Sequence, residues 1–192
     1  MKNRKLWLSI LVICSLVICI FFAKCYLEIN TKYPSPKETI HEMGEELIVP
    51  KSENLIFYIK EAILIDGSEV EKLVPDFYTE SKESGLEYAL VLLTISLKNT
   101  SDNEQSIENL KSAMLTINNT YSNGLALTAT LEMNNGNLIN SVKPHQSEEI
   151  KLLYGITRIN LKKSIYSHLS SQNFYFTYSL SPAIERVSLM FN

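Results

Sequence analysis

The chain has 192 residues, 45% of them apolar, and a formal net charge of −3; this composition allows one ordinary core plus a short extra segment and excludes a disordered or collagen-like chain. The charge is unevenly placed, since Lys2, Arg4, Lys5 and Lys24 stand in the first 24 residues with no acid among them, leaving 14 basic against 21 acidic residues in the rest. Phosphate binding needs clustered Lys and Arg, which that balance does not supply, so nucleic acid is excluded as a partner.

Leu6 to Ala23 is eighteen residues without a charge, just long enough to cross the apolar core of a bilayer. The bases before it should keep the N-terminus cytoplasmic and place the remainder outside the cell. The expectation is a single-pass signal anchor: residues 1–5 inside, 6–23 a transmembrane helix, 24–50 an extracellular stalk and 51–192 the folded domain. A cleaved leader followed by secretion is the alternative, with Ala23 and Cys25 as the small residues before the cut, although the apolar run exceeds the usual range of about 7–15. A lipid-modified cysteine would need a small residue before it, whereas Ile13, Ile18 and Lys24 precede Cys14, Cys19 and Cys25. The rest of the chain has no cysteine, hence no internal disulfide framework and no thiolate metal site.

In the stalk, Pro34 and Pro36 favour an extended, stiff backbone, and Pro50 closes the segment. Leu55 to Ile65 predicts a strand, with Phe57, Ile59, Ile63 and Ile65 on one face against Tyr58, Lys60 and Ala62, ended by Asp66-Gly67. Ser68 to Gly85 reads as polar connection, with one helical turn at Val70, Leu73 and Val74 and an exposed loop at Asp76, Phe77 and Tyr78. Tyr88 to Asn99 is the longest apolar run outside the N-terminal segment. Ala89, Val91, Leu93, Ile95 and Leu97 point one way; Tyr88, Leu90, Leu92, Thr94, Ser96 and Lys98 point the other and grow polar toward the end. A core strand follows from that pattern.

Ile107 to Asn118 predicts a further strand around Met114, Leu115 and Ile117. Asn123-Gly124 and Asn135-Gly136 read as hairpin turns, enclosing a half-buried strand in which Leu125, Leu127, Ala129, Leu131 and Met133 alternate with polar residues. Lys143-Pro144-His145-Gln146 reads as a turn before a strand carrying Ile150, Leu152 and Tyr154, and Lys162 to Ser170 as a short helix. Phe174, Phe176, Tyr178 and Leu180 form another strand, Pro182 breaks it, and Val187, Leu189 and Phe191 form the last. Seven or eight short strands with turns between them predict an all-β antiparallel sandwich.

His41, His145 and His168 lack metal-ligand spacing, and Asp66-Gly67-Ser68-Glu69 lacks the longer alternation of a calcium loop; surface histidines and a plain turn are expected. Glu45-Glu46 and Glu148-Glu149 could work as acid and base only if the fold brought them within a few ångströms. No serine sits in a nucleophile motif. Asn99-Thr100-Ser101 and Asn118-Asn119-Thr120 match the glycosylation pattern. Several of the ten tyrosines, including Tyr78, Tyr121 and Tyr166, fall near predicted loops, where contact area and a hydrogen-bonding tip suit binding.

The segment Tyr26-Leu27-Glu28-Ile29-Asn30-Thr31-Lys32-Tyr33-Pro34-Ser35-Pro36-Lys37, followed by Met43-Gly44-Glu45-Glu46, resembles a family of uncharacterised, membrane-anchored extracellular proteins of Gram-positive bacteria. The run from Val91 to Asp102, the stretch Phe174 to Leu180 with Ser181-Pro182, and Val187-Ser188-Leu189 are similar to the telokin-like domains of exported bacterial antigens. The resemblance implies an immunoglobulin-like sandwich and a cell-surface location, and brings no catalytic residues or cofactor. The functional expectation is a non-enzymatic cell-surface module that binds a protein, peptide or envelope component. The alternatives are an accessory subunit of an envelope transporter or sensor and, behind it, an envelope hydrolase.

Overall fold

The computed structural model describes the backbone of residues 2–32 and 36–191 and the side chains of residues 11, 15–32 and 36–191. It divides into two units, Met1–Lys37 and Glu38–Asn192. In the first, α1 (Lys2–Lys32) is one helix. Its described apolar side chains, among them Leu16, Val17, Ile18, Ile20, Phe21 and Phe22, are exposed and occupy successive positions round the helix rather than one stripe. Among the described residues no helix is long and apolar enough to cross a membrane. In the Leu6 to Ala23 run the side chains of residues 6–10 and 12–14 lie outside what is described, as does all of Tyr33-Pro34-Ser35 in the expected stalk.

The second unit opens with β1 (Glu38–His41) and β2 (Leu47–Ile48), so part of the segment expected as stalk belongs to the sheets. Then come β3 (Leu55–Ile65), α2 (Gly67–Leu73), α3 (Pro75–Glu83) and β4 (Tyr88–Asn99). After them run β5 (Gln105–Ser106), α4 (Glu108–Lys111), β6 (Met114–Ile117), β7 (Tyr121–Asn123), α5 (Leu127–Met133), β8 (Ser141–Val142) and β9 (Ser147–Thr157). The chain ends with α6 (Lys163–Tyr166), β10 (Phe174–Ser179) and β11 (Ile184–Leu189).

One sheet has the order β2-β3-β4-β9, the other β1-β11-β10-β6-β7, and β5 pairs with β8 in a small ribbon. Every pairing is antiparallel except β1 with β11, which is parallel. The expectation of an antiparallel sandwich holds for the sheets, apart from the parallel β1 edge; the expectation of an all-β domain is corrected, since the chain is β-rich with several helices. The two sheets share one core, in which Phe57, Leu93, Ile95 and Tyr154 meet Leu115, Phe174, Phe176 and Val187. Edge-on aromatic contacts bridge them, Phe57 to Tyr178 with ring centroids 5.0 Å apart and Tyr154 to Phe176 at 6.0 Å, which is favoured ring geometry. The architecture is a β-sandwich.

In β4, Ala89, Val91, Leu93, Ile95 and Leu97 face this core, as the period of two requires. On the other face Leu90 and Leu92 join a second cluster with Ile65, Val70, Val74, Ala129 and Leu153, while Lys98 is exposed. Helices α2, α3 and α5 supply the outer side of that cluster. A bulge between Ile59 and Glu61 shifts the β3 register, and an extra residue reverses which side chains face in. Ala62 therefore enters the main core while Ile63 and Ile65 turn to the helices, correcting the face assigned to them from alternation alone.

Two segments differ from expectation for identifiable reasons. Leu125 to Met133 alternates like a strand, but only Leu125 bridges β9, at Tyr154, and Leu127–Met133 forms α5, because residues four apart complete the open edge of β9. The Ala126 N–H donates to the Leu153 carbonyl at 2.8 Å, the Thr130 hydroxyl accepts from the Leu153 N–H at 3.0 Å, and Asn134 Nδ2 donates to the Lys151 carbonyl at 2.9 Å. Asn135 and Gly136 then end the helix, with φ of 52° and 77°, and the Gly136 N–H donates to the Leu131 carbonyl at 2.8 Å; glycine tolerates that left-handed turn. Asp76, Phe77 and Tyr78, expected in a loop, lie in α3. Pro75 suits its first turn, and the Glu132 carboxylate accepts from the Asp76 and Phe77 N–H groups, both at 2.9 Å.

Thr130 is fully buried, so Thr130→Val should orphan the Leu153 N–H and lower the unfolding free energy by about 1–3 kcal/mol. Thr130→Ser, which keeps the hydroxyl, should cost clearly less. Urea denaturation measures both.

Candidate functional site

The helical layer leaves a cleft beside the start of β4. Its volume is about 550 Å³, within the range of ligand pockets. Val70 and Phe77 give it apolar lining, Tyr78, Tyr88 and Tyr166 give it aromatic walls, and Ser81, Lys82, Leu86 and Glu87 add polar and apolar rim. A second hollow of about 290 Å³ shares Gly85, Leu86 and Glu87 and adds Arg158 and Ile159; the Ile159 side chain is 78% exposed.

Local chemistry fixes these walls. At the end of α3, Gly85 has φ +68°, and the Gly85 and Leu86 N–H groups donate to the Lys82 and Ser81 carbonyls, each at 3.0 Å. That left-handed turn suits glycine and leads the chain directly into β4. Tyr88 is held edge-on to Phe77, with centroids 5.2 Å apart. Lys82 Nζ lies 5.7 Å from the Tyr78 ring centroid, close enough for a cation–π attraction. Arg158 Nη1 donates to Glu87 Oε2 at 2.7 Å, and the Arg158 N–H to the Glu87 carbonyl at 3.2 Å. That hydrogen bond, then the charge of Glu87, holds the Arg158 pKa above its usual range.

Burial pushes the Tyr166 hydroxyl above its ordinary pKa; the Glu87 charge adds to the shift and Arg158 opposes it. The hydroxyls of Tyr78, Tyr88 and Tyr166 make no hydrogen bond to another described residue. The Ser81 hydroxyl, by contrast, donates to the Phe77 carbonyl at 2.7 Å.

Of the tyrosines singled out from sequence, Tyr78 and Tyr166 thus meet in one cleft, although Tyr78 comes from a helix rather than a loop. Tyr121 is buried, and its hydroxyl donates to the Gly155 carbonyl at 3.2 Å. Tyr88 was assigned from its sequence only to the covered side of a strand. Its place at the start of the apolar run, just after Gly85 and Glu87, was the signal available.

The other candidates stay apart. His41 pairs with Glu45 at 2.9 Å, His145 with Asp102 at 3.0 Å, and His168 Nδ1 lies 2.9 Å from the Ser167 hydroxyl. Among the described residues no three His, Cys, Asp or Glu side chains are grouped to hold a metal. Glu45 and Glu149 each have a basic partner, His41 and Lys60, the latter at 2.9 Å. The hydrogen bond from His41 is the main cause of a Glu45 pKa below its ordinary value. Asp66 stands immediately before α2, where its carbonyl accepts from the Glu69 and Val70 N–H groups. Asn99, of the first glycosylation pattern, is 1% exposed, and its Nδ2 donates to the Asn103 and Val142 carbonyls at 2.7 and 2.9 Å; a glycan has no access to it in the fold.

The chain is therefore a β-sandwich protein with a helical layer on one sheet and a tyrosine-lined cleft in that layer. No family model matches it, and no curated protein matches it in sequence. Among solved structures it is similar to an uncharacterised β-sandwich protein from Clostridium difficile 630, at 12% identity and a TM-score of 0.49 over 81% of this chain and 97% of that one. A conserved hypothetical protein from Bacillus anthracis is similar at 11% identity and 0.45, over 76% and 94% of the two chains. A functionally unknown protein from Listeria monocytogenes EGD-e is similar at 13% identity and 0.42, over 78% and 83%. The sandwich assignment stands on the chain's own sheets.

Two outcomes follow from the site's construction. Glu132→Ala should free the first turn of α3 and lower stability by about 0.5–2 kcal/mol, the range for losing a helix cap; hydrogen exchange should speed up at the Asp76 and Phe77 amides. The raised Tyr166 pKa means that the fold favours the neutral phenol. Its contribution to stability is complete below the ordinary tyrosine value near ~10 and is lost as pH rises through the higher folded-state value. Tyr166→Phe should flatten that alkaline loss, read as melting temperature against pH.

Proposed function

We propose that the chain is a non-enzymatic cell-surface binding module, anchored in the membrane by its N-terminal helix, whose cleft between Tyr78, Tyr88 and Tyr166 receives a protein, peptide or envelope component. The observation that carries this reading is the set of three aromatic hydroxyls lining one cleft with no protein partner among the described residues. Tyrosine gives broad, stiff contact area with a polar tip, the combination favoured at recognition surfaces. The membrane reading is supported by the uncharged run Leu6 to Ala23 after Lys2, Arg4 and Lys5, and by exposed apolar residues at successive positions of α1. An immunoglobulin-like topology is supported by strand adjacency. The series β3-β4-β9 and β11-β10-β6-β7 run in the A-B-E and G-F-C-C′ orders of such domains.

A photoreactive residue in place of Lys82 should give a crosslinked adduct on intact producing cells, recovered with the membrane fraction. The same residue in place of Ser188, on β11 of the other sheet, should give none. Equal labelling from both positions, or no adduct from position 82, overturns the binding role of the cleft; recovery only in the soluble fraction overturns the anchor.

A further inference from the structure

Two methionines far apart in the chain meet at the rim of the sandwich. The Met190 N–H, the first amide after β11, donates to Met43 Sδ at 3.2 Å. Met43 lies in the turn that carries the chain from β1, in one sheet, to β2, in the other, and it packs against the main core. Gly44, the next residue, is fixed by its N–H to the Ile59 carbonyl at 3.1 Å. The Met43 sulfur therefore ties the crossover between the sheets to the end of the last strand. That tie bears most on β1, an edge strand that pairs only with β11 and whose residues Glu38, Thr39 and Ile40 are exposed. Met43 is itself half-buried, so a small solute can reach its sulfur.

We infer that Met43 is an oxidation-sensitive latch: conversion to the sulfoxide by a peroxide releases the Met190 N–H and loosens β1 from β11. The thioether sulfur attacks one peroxide oxygen. The O–O bond breaks, an S–O bond forms, sulfur gives up two electrons, and hydrogen peroxide leaves as water. A thioether accepts an N–H through a sulfur lone pair, whereas the sulfur of a sulfoxide carries partial positive charge and repels it. A separation of 3.2 Å leaves no room for the new oxygen between sulfur and nitrogen. Oxidation thus breaks the contact whichever lone pair reacts, and it sets a polar group at the edge of the core. The Met190 side chain is 67% exposed, and its part in the contact is a backbone amide that oxidation leaves intact. The opened β1 would uncover the backbone edge of β11, which is then free to pair with another strand.

The test is amide hydrogen exchange of the full chain, followed by NMR before and after hydrogen peroxide, with peptide mass spectrometry locating the added oxygen. Met43 should gain one oxygen. Exchange at the Met190 amide and across β1 should then speed up about two- to tenfold, the scale of one lost hydrogen bond. Met190→Leu, which keeps the backbone donor, should respond to peroxide as the parent chain does. Met43→Leu, a volume-conserving change, should show the faster exchange from the outset and no further change with peroxide. A sulfoxide at Met43 with exchange unchanged overturns the latch. So does an unoxidised Met43 in a chain whose Met190 has reacted, or a peroxide response in Met43→Leu equal to that of the parent.

Discussion

Strand β4 is apolar on both faces near its start, and that double burial constrains everything around it. Leu93 and Ile95 are accommodated by the opposite sheet, but Leu90 and Leu92 would face water in a bare sandwich. Each large side chain left uncovered would forgo about 1.5–3 kcal/mol of burial. An outer layer is therefore needed, and α2, α3 and α5 provide it through Val70, Val74 and Ala129. The cleft is a consequence of that layer: it opens where the helices give way to the strand, between the end of α3 and Tyr88.

The layer is fixed in place by polar contacts as well as by apolar cover. Helix α5 stands in for a missing neighbour of β9, meeting backbone groups of Leu153 and Lys151 with Ala126, Thr130 and Asn134; an uncovered edge would invite pairing with other chains. From the same helix Glu132 reaches the first turn of α3, and α3 carries Tyr78 and Lys82. Sheet edge, covering helix, second helix and cleft wall form one connected series of contacts, which runs from Thr130 against β9 through Glu132 to the helix that carries Tyr78.

Two strands were legible from sequence as long apolar, β-prone runs ended by turn residues. Leu55–Ile65 and Tyr88–Asn99 occur with those same limits, because period-two burial leaves a direct trace in residue type. The bulge in β3 left no such trace, since Lys60 is polar and exposed whichever way the register runs, and so the inward role of Ala62 was missed. Leu125 to Met133 failed for a different reason. Its apolar–polar alternation between two Asn-Gly pairs imitates a strand, although Leu, Ala, Glu and Met are good helix formers; the spacing of Ala126, Thr130 and Asn134 has meaning only beside a β9 edge that lacks a partner, a fact of tertiary structure. Tyr78 and Tyr166, far apart in the chain, were each visible as binding-type residues, but nothing in either neighbourhood announces that they meet.

The two sheets differ in how their polar side chains are engaged. On the sheet formed by β1, β11, β10, β6 and β7, several polar side chains pair with one another. The Thr116 hydroxyl lies 3.0 Å from those of both Thr177 and Ser122, and Arg186 reaches Glu38 at 2.6 Å. A partner docking there would have to break bonds already made, with little net gain. In the cleft the hydroxyls of Tyr78, Tyr88 and Tyr166 have no such protein partners, so a ligand acceptor trades only water for a fixed donor. Recognition is favoured where hydrogen-bonding capacity is held rigid and left unused, and in this fold the helical layer that β4 requires is what creates such a place.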